Sequence, residues 1–310
     1  MTAQTSAAEV AERSQPLGAR ISRWLSAAVR STRPRQWPKN LLVFAAPLAG
    51  ASLGRPDGLA YALVAAFAFG CASAAVYLVN DVADVNRDRC HPVKRNRPIA
   101  AGELPKAHAL VLAAVFVAVA VAAGFAIAAP WLTAAIVAYL AISFLYSMVL
   151  KHIPVLEVLF VASGFLLRVL GGAAATHVKP SGWFLLVCSL GALGVAVAKR
   201  YTELVTLGQD AIRHRPAMRS YRPGMLRFGQ YGIGALMVGC YLLWAVGEDS
   251  DARNWHLVSS IPLAAALGRF AILTGRRTIR PVEDLIIRDG AMLACEIGWL
   301  SLFVTGLYVA

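Results

Sequence analysis

Charged residues are too scarce in this 310-residue chain for a domain dissolved in water. They make up 15% of the sequence, against about 25% in soluble domains, while hydrophobic residues reach 58% and mean hydropathy is +0.60. Acids are scarcer still: 17 Asp and Glu face 30 Lys and Arg, a formal net charge of +13. Such a balance can serve nucleic acid. Here the basic residues lie in the gaps between apolar runs, which argues against nucleic acid as a partner. The apolar core that a secretory signal would need near its start is missing. The first 40 residues are polar and rich in Arg and read as a cytoplasmic tail. The five cysteines (Cys71, Cys90, Cys188, Cys240 and Cys295) are odd in number and lack metal-ligand spacing. Four of them fall inside apolar runs, where a small apolar residue is the simpler reading.

What the chain does contain is apolar stretches approaching the roughly 20 residues that cross a bilayer. Nine candidate spans fall at about 41–53, 59–79, 107–129, 132–150, 155–174, 182–198, 228–246, 257–274 and 290–309. The first is short and interrupted by proline. The loops alternate in charge. With the N-terminus in the cytoplasm, nearly all Lys and Arg fall on that side, and the opposite loops hold only Arg55, Lys179 and Arg253. Such asymmetry sets orientation and places the C-terminus outside. The expectation is an all-α polytopic protein of about nine transmembrane helices in a bacterial plasma membrane. A variable tail at 1–32 would precede one domain at 33–310. The longest loops, 80–106 and 199–227, are both on the cytoplasmic side, and function concentrates in long loops.

One of those loops opens on acids. In Asn80-Asp81-Val82-Ala83-Asp84-Val85-Asn86-Arg87-Asp88-Arg89, helical spacing sets Asn80, Asp84 and Asp88 in one row with Asp81 beside them. Like charges so placed repel and are costly near lipid, so a cation belongs among them. Mg²⁺ takes carboxylate and phosphate oxygens, making Asp81, Asp84 and Asp88 the candidate metal ligands. The following Pro-held loop presents Lys94, Arg95 and Arg97, suited to a diphosphate partly neutralised by metal. A positive-inside loop with incidental acids is the plainer alternative. Glu157 and Arg168 are unusual inside a span. They share a helix face about 16 Å apart and should face a polar cavity or partners on other helices.

Asn80 to Asp88 resembles the NDxxDxxxD signature of the UbiA superfamily, and Arg89 to Gly102 continues it as HPxKxxRPIAAG. The resemblance implies a UbiA-type helix bundle that binds a diphosphate through Mg²⁺ and acts on a polyprenyl partner. Tyr146-Ser147-Met148-Val149-Leu150-Lys151 resembles the superfamily's Tyr/Lys motif, although Tyr146 also suits an interface anchor and Lys151 an inside charge. The superfamily's second aspartate motif is absent. Its place holds Lys199-Arg200-Tyr201-Thr202-Glu203. With RPRQWPKN at 33–40 and LKH at 150–152, this pattern is similar to the decaprenyl-phosphate phosphoribosyltransferase branch, which serves cell-wall arabinan precursor synthesis.

That branch resemblance implies phosphoribosyl pyrophosphate as donor and a polyprenyl phosphate as acceptor. Asp81, Asp84 and Asp88, with Asn80, would hold Mg²⁺ against pyrophosphate. Lys94, Arg97, Lys199 and Arg200 would neutralise the leaving group, and Arg89 and Arg168 would clamp a phosphate. Tyr201 and Glu203 would orient the ribose, Glu157 would contact a ribose hydroxyl or the metal shell, and a homo-oligomer is compatible with this reading. Two alternatives stay open: prenyl transfer from a diphosphate to an aromatic or haem acceptor, and transport of a polyprenyl phosphate lipid.

Overall fold

The computed structural model describes residues 16–148, 153–208, 216–276 and 282–309. Every regular element among them is helical. An amphipathic helix, α1 (Leu17–Ser31), leads into a 3₁₀ segment, Pro34–Phe44, and a single turn, α2 (Ala45–Ala49). The long α3 (Pro56–Ala83) is followed by the short α4 (Val85–Arg89). Then come α5 (Lys106–Ala126), α6 (Pro130–Met148), α7 (Leu156–Ala175), α8 (Gly182–Leu207) and α9 (Pro223–Val246). α10 (Ser250–Gly275), α11 (Val282–Arg288) and α12 (Gly290–Val309) complete the chain.

Eight of these helices are long and apolar enough to cross a membrane: α3, α5 to α10, and α12. The protein is a multi-pass membrane protein. The first expected span is built differently from the rest. Pro38 lies inside it and Pro47 in the turn that follows, and a proline withholds the N–H that an α-helix needs. The backbone answers with 11 residues of 3₁₀ helix. At about 2.0 Å of rise per residue, plus the α2 turn, this segment covers about 30 Å. Its start, Arg33, bonds Asp81 at one end of α3. Its far end meets the opposite face, with Gly50 against Val178 and Gly54 beside Tyr308. The ninth crossing therefore exists, but as a broken element.

Long 3₁₀ runs are uncommon, and packing holds this one. Val43 sits in a core with Phe69, Leu132 and Ala175, and Ala46 packs on Val169 and Ala173. Gly172 of α7 lies directly under the Val43 carbonyl, leaving no room for a Cβ. Helices in lipid gain little from apolar burial alone and favour small residues where backbones approach. α3 follows that rule: Ala62, Ala65, Ala68, Ala72 and Ala75 are buried at helical spacing. Ala109 and Ala113 of α5 face it. The bundle has two halves, α3–α5–α6–α7 and α8–α9–α10–α12, joined along α7 and α8.

One ion pair closes the second half. Arg269 of α10 donates from Nε and Nη2 to Asp289, at 3.0 and 2.8 Å, and Asp289 accepts the Met292 N–H at the start of α12. Those bonds, the Arg269 pair first, hold the Asp289 carboxyl at about 2, below its ordinary 3.8. A depressed carboxylate stabilises the fold above its ordinary value, and this contribution is lost as pH falls through the folded value.

Two outcomes follow from this packing. Gly172→Ala should lower the thermal midpoint in detergent, an overpacking cost of about 1–3 kcal/mol, whereas Gly182→Ala, with open space around it, should not. Asp289→Asn should lower the midpoint at neutral pH, and the deficit should shrink between pH 4 and pH 2, the interval set by the two values of this carboxyl. A deficit constant with pH would exclude the ionic origin.

Candidate functional site

The bend between α3 and α4 makes the first wall of the site. Asp84 leaves helical torsions (φ −90°, ψ 4°) and the helix restarts at Val85. Asp81 and Asp88 stay together and are buried. Nη1 of Arg97 donates to both, at 3.0 Å to Asp81 Oδ1 and 2.7 Å to Asp88 Oδ2. Arg33 adds a bond to Asp81 at 2.5 Å, its guanidinium 4.7 Å from the Tyr77 ring centre. Asp84 is turned outward, its side chain 39% exposed and 3.8 Å from Arg87. Three aspartates on one face were expected. The structure corrects this to a pair and an outlier, because the helix ends at the middle one.

Arg97 bears on the metal question. A single cationic nitrogen bridges two carboxylate oxygens at hydrogen-bond distance from each. Mg²⁺ is commonly held by one or two carboxylates, with substrate phosphates and water filling the rest of its shell. The hard oxygen donors of Asp81 and Asp88 fit such an ion, provided Arg97 yields its place. Among the described residues no group of three His, Cys, Asp or Glu is arranged to hold a metal without substrate.

The second wall is ionic as well, but closed on itself. Arg200 of α8, almost fully buried, contacts Glu157 Oε1 at 3.1 Å through Nε and Glu203 at 2.6 Å through Nη1. Its Nη2 donates to the Tyr146 hydroxyl at 3.1 Å. Two carboxylates around one guanidinium offset the desolvation that a buried charge suffers. Glu157 and Arg200 were expected to contact substrate. The structure places them in a tie between α6, α7 and α8, with Glu203 completing it. The tie is anchored at its edge by Tyr221, whose hydroxyl accepts the Val155 N–H at 2.7 Å. Burial raises the Tyr221 phenol above its ordinary value. Val155 itself has a positive φ of 65°, which a β-branched residue keeps only when its surroundings impose it.

Between the two walls lies an open cleft of about 200 Å³, lined among others by Lys39, Tyr77, Asn80, Tyr146, Arg168 and Lys199. Its floor is the Arg168 guanidinium, about 18 Å from the start of α7 along the helix. Arg168 donates to Asn40 Oδ1 (2.9 Å), the Gly164 carbonyl (2.6 Å), Ser73 Oγ (2.8 Å) and the Tyr139 hydroxyl (3.1 Å). It also lies 4.6 Å from the Tyr139 ring centre. All these partners are neutral, so its positive charge is exposed to whatever enters the cleft.

The other expected residues take varied places. Asn80 and Lys199 line the cleft with Tyr146. Arg89 braces the loop by donating to the Ala100 carbonyl at 3.1 Å, and Lys94 is exposed on that loop. Arg89 thereby shapes the loop through its Nε. Tyr201 is covered by Arg227, 5.3 Å from its ring centre, and is not among the residues lining the cleft. Lys151 lies outside the described residues. Sequence reasoning did not single out Arg33, Lys39, Asn40, Ser73 or Tyr139. The first three sit in RPRQWPKN, and that polar run just before a proline-broken span was the signal available.

The Arg168 node can be tested by Arg168→Met, which removes the donor to Asn40 and leaves Ser73 and Tyr139 with their bond to each other. A buried acceptor left without its donor costs about 1–3 kcal/mol, read as a lower thermal midpoint in detergent. An unchanged midpoint would mean that these bonds do not hold the bundle.

Comparison with known proteins agrees with this architecture. Residues 40–285 match the UbiA prenyltransferase family. A decaprenyl-phosphate phosphoribosyltransferase of Mycolicibacterium smegmatis is 35% identical over 97% of this chain and 99% of its own length. The protein of that name from Mycobacterium tuberculosis is 38% identical over 89% of this chain and 93% of its own. Among solved structures, a UbiA homologue from Archaeoglobus fulgidus bound to GPP and Mg²⁺ superposes with a TM-score of 0.69. It is 17% identical, and the match covers 91% of this chain and 99% of that one. The helical bundle, the aspartate pair at its polar mouth and the sequence match lead to one assignment: the chain belongs to the UbiA prenyltransferase family.

Proposed function

We propose that this enzyme transfers 5-phosphoribose from phosphoribosyl pyrophosphate to a polyprenyl phosphate, with decaprenyl phosphate as the acceptor, and releases pyrophosphate. The observation that carries the reading is the asymmetry of the cleft. The Asp81–Asp88 pair stands next to one rim, beside the lining Asn80, while the Arg168 guanidinium, whose hydrogen-bond partners are all neutral, forms the floor and Lys199 lines the cleft as well. A donor bearing both a pyrophosphate and a 5-phosphate needs that layout. Relatives over nearly the whole chain carry the matching name.

Asp81 and Asp88, joined by the outward Asp84 once the pyrophosphate arrives, would hold Mg²⁺, which would neutralise charge on the leaving group. Lys199 would stabilise the negative charge that grows on the pyrophosphate as its bond to ribose C1 breaks. An oxygen of the lipid phosphate, already ionised at neutral pH, attacks C1, so no general base is required. Arg168, with Lys39 near it, would draw a phosphate to the floor and align it. Tyr146, held by Arg200, would fix the wall against which the ribose lies. By its basic loops, this mouth faces the cytoplasm and the protein sits in the plasma membrane.

Prenyl transfer from a diphosphate is the competing reading. It calls for a second acidic cluster at the inner end of α8, where Lys199 and Arg200 stand and where Glu203 is engaged by Arg200. Purified protein given radiolabelled phosphoribosyl pyrophosphate and decaprenyl phosphate should form a lipid-linked label with Mg²⁺ and none with chelator. No label under any divalent ion would end the donor assignment. Asp84→Asn should abolish turnover with the thermal midpoint unchanged, and Lys199→Ala should lower kcat about 10²–10³-fold. An active Asp84→Asn enzyme would remove that residue from the metal shell.

A further inference from the structure

The helix that precedes the bundle is built unlike the others. α1 packs on the polar end of the first half through one narrow strip. Ala27 is buried beside Leu78 and Val85, Trp24 packs against the same core, and Trp24 Nε1 donates to His108 Nδ1 at 3.1 Å. On a helical wheel, Leu17, Ile21, Leu25 and Val29 form a second sector, about 120° wide, next to that strip. All four are at least half exposed. The third sector carries Arg23 and Arg30; Arg20 lies in line with the packing strip but one turn before Trp24, where it is exposed, and α1 contains no acidic residue. Arg30 is paired to Glu103 of the following loop.

Four large apolar side chains in a row are costly against water, and among the described residues nothing covers their exposed halves. Two observations identify what does. First, α1 touches the opening turn of α5, where the apolar Leu110 and Val111 are themselves exposed as lipid-facing residues of a span. The stripe thus continues the apolar belt of the protein at the level where the chain enters the bilayer. Second, the polar sector is purely basic. A helix with an apolar face and an Arg-rich face lies in the membrane interface and is drawn to anionic lipid.

We propose that α1 is an interfacial anchor. Its Leu17–Val29 stripe enters the acyl boundary while Arg20 and Arg23 bind anionic phospholipid headgroups. The occupant is a phospholipid surface, not a second protein chain. The anchor has a target within the molecule. Two residues after α1, Arg33 adopts a left-handed backbone (φ 56°) and donates to Asp81. That conformation is disfavoured for a non-glycine residue, the more so before a proline. Seating α1 on lipid fixes the start of this linkage.

The test uses the full-length enzyme in nanodiscs of phosphatidylcholine with or without phosphatidylglycerol. An environment-sensitive fluorophore is placed at Leu25→Cys, and separately at Ser26→Cys as the solvent-facing control, both in a Cys90→Ser background. The Leu25 label should emit to the blue of the Ser26 label and be quenched by shallow nitroxide lipid. Ser26 should instead be quenched by aqueous iodide. Phosphatidylglycerol should strengthen quenching at Leu25, and Arg20→Gln with Arg23→Gln should remove that gain. A water-like Leu25 label in both lipids would overturn the proposal. So would disulfide cross-linking between protomers of the unlabelled Leu25→Cys variant under a mild oxidant, which would make a second copy the occupant. Equal quenching in both lipids, unaffected by the Arg substitutions, would overturn the headgroup assignment.

Discussion

A single guanidinium, carried about two-thirds of the way along α7, governs how the first half of this bundle is assembled. Arg168 reaches the broken first crossing through Asn40, α3 through Ser73, α6 through Tyr139 and its own helix through Gly164. An ion at that depth is tolerated only where polar partners or a polar cavity meet it. Here four oxygens share the charge and none cancels it. The arrangement thus binds four chain segments together and leaves a positive potential at the bottom of the cleft. Stability and ligand attraction come from the same atoms, so the two cannot be varied independently at this residue.

Most of the other charges beside the cleft are gathered into two ion-paired ties. Asp81 and Asp88 balance Arg33 and Arg97 at one wall. Across the cleft, Glu157 and Glu203 surround Arg200 with one negative charge in excess. The first tie faces the mouth and is partly open, since the Arg33 and Arg97 side chains keep 30% and 28% exposure. The second is set deeper: Arg200 and Glu157 are buried, and only Glu203 keeps exposure, at 21%. An exposed ion pair exchanges partners readily, whereas a buried one is costly to break. This contrast separates the wall that can reorganise around a ligand from the wall that serves as a fixed support.

Much of this was legible in the linear sequence. The long spans announce themselves by hydropathy, and the pairing of Asp81 with Asp88 follows from a separation of two helical turns. The turning-out of Asp84 was not legible, because it depends on where α3 ends, and helix ends are set by tertiary contacts more than by local preference. Nor was the engagement of Arg200. Its partner Glu157 lies on another helix, and no spacing rule links α7 to α8. The first crossing was underestimated for a related reason. Its length was judged in α-helical terms, while its prolines drive it into a more extended helix with a greater rise.

That broken crossing has a consequence for how the protein is made. An ordinary span satisfies its own backbone and can partition into lipid as soon as it is synthesised. The 34–49 stretch cannot, because its prolines lack N–H groups and its polar Asn40 needs Arg168. The Val43 carbonyl must also meet Gly172, more than a hundred residues downstream. The packing of the amino-terminal crossing is therefore complete only once α7 is in place beside it.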